Sequence, residues 1–358
     1  MFEPFDLSGV TLRNRFVMAP MTRNFSPGGV PGDDVVAYYR RRASHVGLIV
    51  TEATYIDHPS AGSSDRAPRL HGEDALAGWR RVVDAVHHVG GRIFPQISHL
   101  GLARDADARV HPEAPIISPS AVAPDCSPVG VVATFTDIDA IVGSFARAAA
   151  DAQSAGFDGV ELHGAHGFLL DQFLWPRTNR RTDGYGGNIA GRVRLSAEVV
   201  AAVRTAVGPG FPVVFRYSQW KGADFDARVA GNPAELEAML TPLVEAGASG
   251  FHVSTRRYWL PGFEGDPRTL AGWTKKITGL PTIALGSVGV SSPFAGDLGA
   301  ERSPWSIAPL LDLFERGEFD LIALGRAILS EPEWPTKLRQ RRYDEIRAYR
   351  KEHEAELR

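Results

Sequence analysis

The chain holds 358 residues, 44% of them apolar, with a net charge of −3 and charges of both signs interspersed. That length buries one large core or two small ones, and the charge balance offers no basic stripe for nucleic acid and no membrane-binding surface. A single cysteine, Cys126, excludes an intramolecular disulfide and any cysteine-ligated cluster or zinc ribbon.

The amino terminus lacks a basic-then-apolar signal pattern, and no apolar run approaches membrane-spanning length. The chain therefore reads as cytoplasmic and soluble, with a small molecule as its expected partner. Along the chain, short β-rich apolar runs alternate with longer helical patterns. That rhythm predicts parallel strands joined by crossover helices.

Eight such units are expected, with strands at Arg15–Ala19, Leu48–Glu52, Arg92–Ser98, Asp158–Leu162, Pro212–Tyr217, Gly250–Ser254, Pro281–Leu285 and Asp320–Leu324. They are continuous apolar runs, as strands buried on both faces should be. Between them, Thr136 with Asp139 predicts a helix cap ahead of the stripe Ile138, Ile141, Val142 and Phe145, with Gly156 as the stop. Asn232, Pro233 and Glu235 predict another helix start, with Leu236, Met239, Leu240 and Leu243 facing inward.

Two stretches, Gly101–Phe135 and Ser291–Pro304, lack this regularity and read as lids or binding loops. No linker interrupts the pattern. The expected architecture is α/β, a single (β/α)8 TIM barrel over residues 1–340 with long active-site loops, followed by a charged C-terminal helix or tail over 341–358.

In such a barrel, polar side chains at the carboxyl ends of strands line the site, because inward groups there escape the packed core. The fourth strand runs into His163 and His166, and two imidazoles there can both donate to one ketone, carboxylate or phenolate oxygen. A zinc pair with Glu161 or Asp171 would need a further nitrogen or sulfur ligand that no spacing supplies, so no metal is expected. After strands seven and eight, Gly286-Ser287 and Gly325-Arg326 pair a close backbone approach with a cationic fork, the makings of a phosphate clamp.

Four stretches carry a family resemblance: LRNRFVMAPMTR (Leu12–Arg23), FPQISHLG (Phe94–Gly101), ELHGAHGFLLDQFLWPRTNRRTDGYGG (Glu161–Gly187) and LIALGRAILSEP (Leu321–Pro332). In order and spacing they resemble the Old Yellow Enzyme family of FMN-dependent NAD(P)H oxidoreductases. The resemblance implies FMN as cofactor, NADH or NADPH as reductant, and hydride transfer to an α,β-unsaturated carbonyl or similar electron-poor alkene. A homo-oligomer is in keeping with that family.

Residue by residue, the resemblance puts Pro20, Met21, Thr22 and Ala53 against the flavin ring and Gln96 at its O2 and N3. It puts Arg216 beside N1, where a fixed positive charge sets the cofactor's electronics, and Gly286, Ser287, Gly325 and Arg326 at the phosphate. His163 and His166 match the pair that grips the substrate's carbonyl oxygen, as an oxyanion clamp.

The chain departs from the pattern at Phe168, where the family usually has a proton-donating tyrosine, and at Leu102, where it usually has arginine. Tyr258 on the loop after strand six, Tyr217, or water are the substitute donors to weigh, and Phe168 and Tyr258 are expected at the substrate. The alternatives on the same scaffold are a flavin-dependent dehydrogenase or isomerase, and a flavoprotein that binds phenolic or acidic ligands without turnover.

Overall fold

The computed structural model describes residues 1–290 and 307–358. Eight parallel strands close a barrel in chain order, the first (Phe16–Met18) pairing with the eighth (Leu321–Leu324). Between them lie the second (Leu48–Tyr55), third (Ile93–Ser98), fourth (Val160–His166), fifth (Val213–Lys221), sixth (Gly250–Ser254) and seventh (Thr282–Leu285). Every expected strand is present. A (β/α)8 barrel results, with helices such as Glu73–His88, Phe135–Ser154 and Pro233–Glu245 outside it.

Strand alternation sorts the side chains into two cores. Val17, Leu48, Val50, Phe94, Val214, Ile283, Leu321 and Ala323 point into the barrel, and Leu7 and Leu12 of an N-terminal hairpin (Phe5–Leu7 with Val10–Leu12) join them. Neighbours of opposite parity, including Phe16, Ile49, Ile93, Phe215, Phe251 and Ile322, pack with the helices. Two residues further along several of these strands, the inward positions turn polar. Gln96, Glu161, Arg216 and His252 are all buried there.

Several element ends differ from expectation, each for a local reason. The Phe135–Ser154 helix is capped by Thr134 and Asp137 in a reciprocal box, two residues earlier than the Thr136/Asp139 pair, because only the earlier threonine has both its backbone and side chain met by the N3 carboxylate. Asn232 caps the helix from Pro233 as expected. The Gly101–Phe135 stretch holds a short turn of helix at Gly101–Ala103 and a parallel pairing of Ile117–Ser118 with Val131–Val132. The Ser291–Pro304 loop lies outside the described residues.

The C-terminal tail, expected as a charged helix or tail, holds two short 3-10 turns, Tyr343–Glu345 and Lys351–Ala355. Its backbone is instead held by side chains of the barrel. Arg23 Nη2 donates to the Glu354 and Glu356 carbonyls at 2.9 and 2.6 Å, and His353 Nδ1 lies 2.8 Å from Ser330 Oγ.

Strand five runs to Lys221, past the expected end at Tyr217, because Lys221 pairs with His166 across a bulge and its ammonium finds a buried carboxylate. Lys221 Nζ donates to Asp171 Oδ1 at 2.6 Å and to the Ser218 carbonyl at 2.8 Å, with both side chains 1% exposed. The other Asp171 oxygen accepts the Gly167 amide at 2.6 Å, which fixes the turn after His166. Replacing one partner strands a buried charge, so Lys221→Met should cost about 3–5 kcal/mol in denaturant unfolding. Adding Asp171→Asn, which removes the charge and keeps the acceptor for Gly167, should recover most of that loss.

Candidate active site

At the carboxyl ends of the strands the barrel opens into a cavity of about 550 Å³ that continues into a smaller one of about 200 Å³. Pro20, Thr22, His166 and Arg216 line both, so the two are chambers of one cleft. Met21, Gly286, Ser287, Gly325 and Arg326 line the larger chamber, and Ala53, Gln96, His163 and Phe168 the smaller. Fourteen site residues were expected from the sequence. All but Tyr258 meet in this cleft.

Tyr258 lines neither chamber. It is buried, with its amide donating to the Gly286 carbonyl and its ring edge-on to Trp259. The hydroxyl of Tyr217, the other tyrosine weighed as a proton donor, is buried 2.6 Å from Thr274 Oγ1 on the helix Leu270–Thr278, on the outer face of the barrel. Phe168 has no hydroxyl and stacks on His163, ring centroids 4.3 Å apart.

Among the described residues, Arg216 is the one cationic side chain common to both chambers. It is 4% exposed, its side chain makes no hydrogen bond among the described residues, and its Nε is buried without a partner. Burial pulls its guanidinium down to about 10, against the opposing pull of Glu161. Such a cation calls for an anionic or strongly accepting ligand in the cleft.

Next to it lies a buried polar network, in which His252 Nε2 alone is buried without a partner among the described residues. Glu161 accepts from Gln96 Nε2 at 2.8 Å and from His252 Nδ1 at 2.7 Å, all of them buried. Burial pushes the Glu161 carboxyl up, but His252, Arg216 and Gln96 outweigh it and hold it below its usual range. Burial in turn pulls His252 down despite Glu161, so His252 is a neutral Nδ1–H donor to an ionised carboxylate. This holds the Gln96 amide nitrogen on Glu161 and turns its oxygen to the cleft.

His163 and His166 stand edge to face, ring centroids 5.5 Å apart. Burial first, and Arg216 second, hold both well below the ordinary imidazole value, so both are neutral at pH 7. His163 Nδ1 accepts the Ala165 amide at 3.3 Å, which leaves the proton on Nε2. His166 sits at φ 60°, with its amide donating to Ser218 Oγ at 3.1 Å and its ring 4.6 Å from that of Trp220.

The glycines act as bare walls. A Cβ on Gly286 would stand 2.5 Å from the Tyr258 amide nitrogen, and a Cβ on Gly325 would meet nothing nearer than Met21 Sδ at 3.8 Å. Both line the larger chamber, Gly286 with its bare face against the loop that carries Tyr258 and Gly325 with open backbone. A buried partnerless guanidinium, an amide oxygen turned outward and exposed backbone together fit a group with a heteroaromatic ring and a phosphate. Among the described residues no cluster of His, Cys, Asp and Glu is arranged to hold a metal.

Sequence reasoning passed over Ser254, Trp220 and Glu52, all of which shape the cleft. Their signal was parity: Ser254 and His252 alternate inward at the end of strand six, as His163 and Glu161 do on strand four. Glu52 accepts the Arg23 and Asn24 amides at 2.8 and 2.9 Å and so anchors the loop that carries Pro20, Met21 and Thr22.

The NADH:flavin oxidoreductase / NADH oxidase family matches the chain over residues 1–286. An NADH oxidase of Thermoanaerobacter brockii is 34% identical over 97% of the chain, which spans 52% of that protein, about half its length. A 12-oxophytodienoate reductase 1 of Oryza sativa subsp. japonica is 33% identical over 94% of the chain and 85% of its own length. Among solved structures, the old yellow enzyme homologue from Zymomonas mobilis superposes with a TM-score of 0.81 at 25% identity, covering 99% of this chain and 95% of that one.

Burial raises the Glu52 carboxyl from 4.5 to about 7. A raised carboxyl stabilises the fold fully below its unfolded value and loses that contribution as pH rises through its folded value, here between 4.5 and about 7. The loss is on the order of 3 kcal/mol. Melting curves from pH 5 to pH 8 should therefore fall less steeply for Glu52→Gln, which keeps an acceptor and cannot titrate, than for the wild type.

Proposed function

The chain belongs to the NADH:flavin oxidoreductase / NADH oxidase family, FMN-dependent oxidoreductases of Old Yellow Enzyme type, and from that premise we propose that it reduces α,β-unsaturated carbonyls or similarly electron-poor alkenes. When bound, FMN supplies the two-electron chemistry, taking hydride from a nicotinamide and giving it to the acceptor's β-carbon in separate half-reactions. The observation that carries the reading is a pair of neutral imidazoles set beside a buried, unpartnered guanidinium on one rim.

In this reading Arg216 and Gln96 hold the cofactor's polar edge, with Pro20, Met21, Thr22 and Ala53 walling the ring. Gly286, Ser287, Gly325 and Arg326 take the phosphate, where open backbone and an arginine face the larger chamber. His163 and His166 donate N–H to the substrate's carbonyl oxygen and stabilise the charge that builds there as hydride arrives. Each such donor lowers the barrier by roughly 3 kcal/mol.

The proton that completes the reduction comes from water. Phe168 offers none, and neither Tyr258 nor Tyr217 is among the residues that line the two chambers. Phe168 packs instead, holding the His163 ring in place. Its lack of a hydroxyl also favours a second reading, a dehydrogenase or isomerase that needs no such proton. A cytoplasmic setting suits the nicotinamide reductant, and among the described residues no helix is long and apolar enough to cross a membrane.

The purified protein should be yellow, bleach with NADH or NADPH, and regain colour on addition of an enone. Recolouring by the enone should slow by about 10²–10³ in His163→Ala and in His166→Ala. Tyr258→Phe should turn over near the wild-type rate, and a loss of about 10² or more would return the proton to that hydroxyl. Bleaching by a saturated ketone, with no recolouring by enones, would establish the dehydrogenase instead.

A further inference from the structure

We propose that Ser254 is a positioning residue that fixes the tautomer of His166, so that His166 presents Nδ1–H, while His163 presents Nε2–H, to the oxygen of the substrate. The inference rests on the carbonyl-binding reading above and names what makes the two imidazoles act together.

A left-handed backbone and three contacts hold His166 in one orientation. Its backbone is in the left-handed region, φ 60°, where the pairing of strands four and five shifts register between Gly164 and His166. Ser218 Oγ accepts its amide, Trp220 lies along its ring, and its Nε2 is 2.8 Å from Ser254 Oγ. Ser254 ends strand six and is 1% exposed. Its hydroxyl has no other hydrogen-bond partner among the described residues.

Two proton arrangements satisfy that distance. If Nε2–H donated to Ser254, the buried hydroxyl proton would have no protein acceptor and Nδ1 would face the cleft as a lone pair. A lone pair repels the oxygen it is meant to hold. If Ser254 donates to Nε2, the hydroxyl is satisfied and the histidine's proton must sit on Nδ1.

That nitrogen makes no hydrogen bond among the described residues, and His166 lines both chambers. His163 is fixed in the opposite sense, since its Nδ1 accepts the Ala165 amide. Each imidazole thus has its acceptor nitrogen occupied by the protein and its donor left for the ligand. For His166 that assignment depends on one hydroxyl, because a solvated imidazole exchanges freely between its tautomers.

The test is nitrogen-15 NMR of the histidine-labelled, FMN-loaded full chain, with His166 assigned by the signal that His166→Asn removes. In the wild type and in Ser254→Thr, which keeps the hydroxyl, His166 should show a protonated Nδ1 and a bare Nε2. In Ser254→Ala the proton should move wholly or partly to Nε2.

In parallel, para-chlorophenol binding, read from the flavin spectrum, should weaken roughly tenfold in Ser254→Ala and much less in Ser254→Thr. A wild-type His166 protonated on Nε2, or a tautomer unchanged in Ser254→Ala, overturns the proposal. Failure of the wild type to bind any phenol would instead tell against the functional reading, while the tautomer measurement still decides this one.

Discussion

A buried cation whose side chain has no hydrogen-bond partner destabilises the fold that holds it. Arg216 is such a cation: it stands on the inner face of strand five with its Nε unpartnered, and the nearest balancing group, Glu161, is already committed to Gln96 and His252. The barrel tolerates it because the upper half of its interior is a hydrogen-bonded polar layer and not an apolar plug. In the proposed reading, a bound cofactor satisfies what the protein leaves unsatisfied there. Burial first, and that charge second, keep both rim histidines neutral, the state in which an imidazole donates one hydrogen bond without carrying a charge of its own.

From that constraint the rest of the site follows in layers. The lower barrel is filled by Val17, Leu48, Val50, Phe94, Val214 and Ile283, with the N-terminal hairpin joining that core, so the strands have no freedom to slide. Register then carries position upward: His163 pairs with Arg216, and Gln96 with Glu161, across adjacent strands. Above them the Lys221–Asp171 pair, the Ser218 and Ser254 hydroxyls and the Trp220 ring fix the turn at His166. The donors of the rim are held by backbone and buried partners, not by flexible loops.

Much of this was legible beforehand, and the reasons are physical. Parallel strands buried on both faces give unbroken apolar runs, so all eight could be placed to within a few residues. Glycines and polar residues at strand ends marked the cleft, and the family resemblance sorted them into roles. What escaped was whatever depends on partners distant in sequence. Ser254 looked like an ordinary strand end until His166, 88 residues earlier, was seen beside it. Lys221 looked like a loop residue because its buried carboxylate is 50 residues away. Tyr258 was an attractive donor from its place on the loop after strand six, and only the fold shows that it lines neither chamber.

The central claim is that FMN lies across the open rim with the two imidazoles facing its reactive side. A crystal structure of the FMN-loaded protein soaked with a simple phenol addresses it directly. The account predicts the phenolate oxygen within hydrogen-bond distance of both His163 Nε2 and His166 Nδ1, above a flavin whose pyrimidine edge meets Arg216. A folded protein that cannot retain FMN, or a complex in which those imidazoles are turned away from the ring, would contradict it.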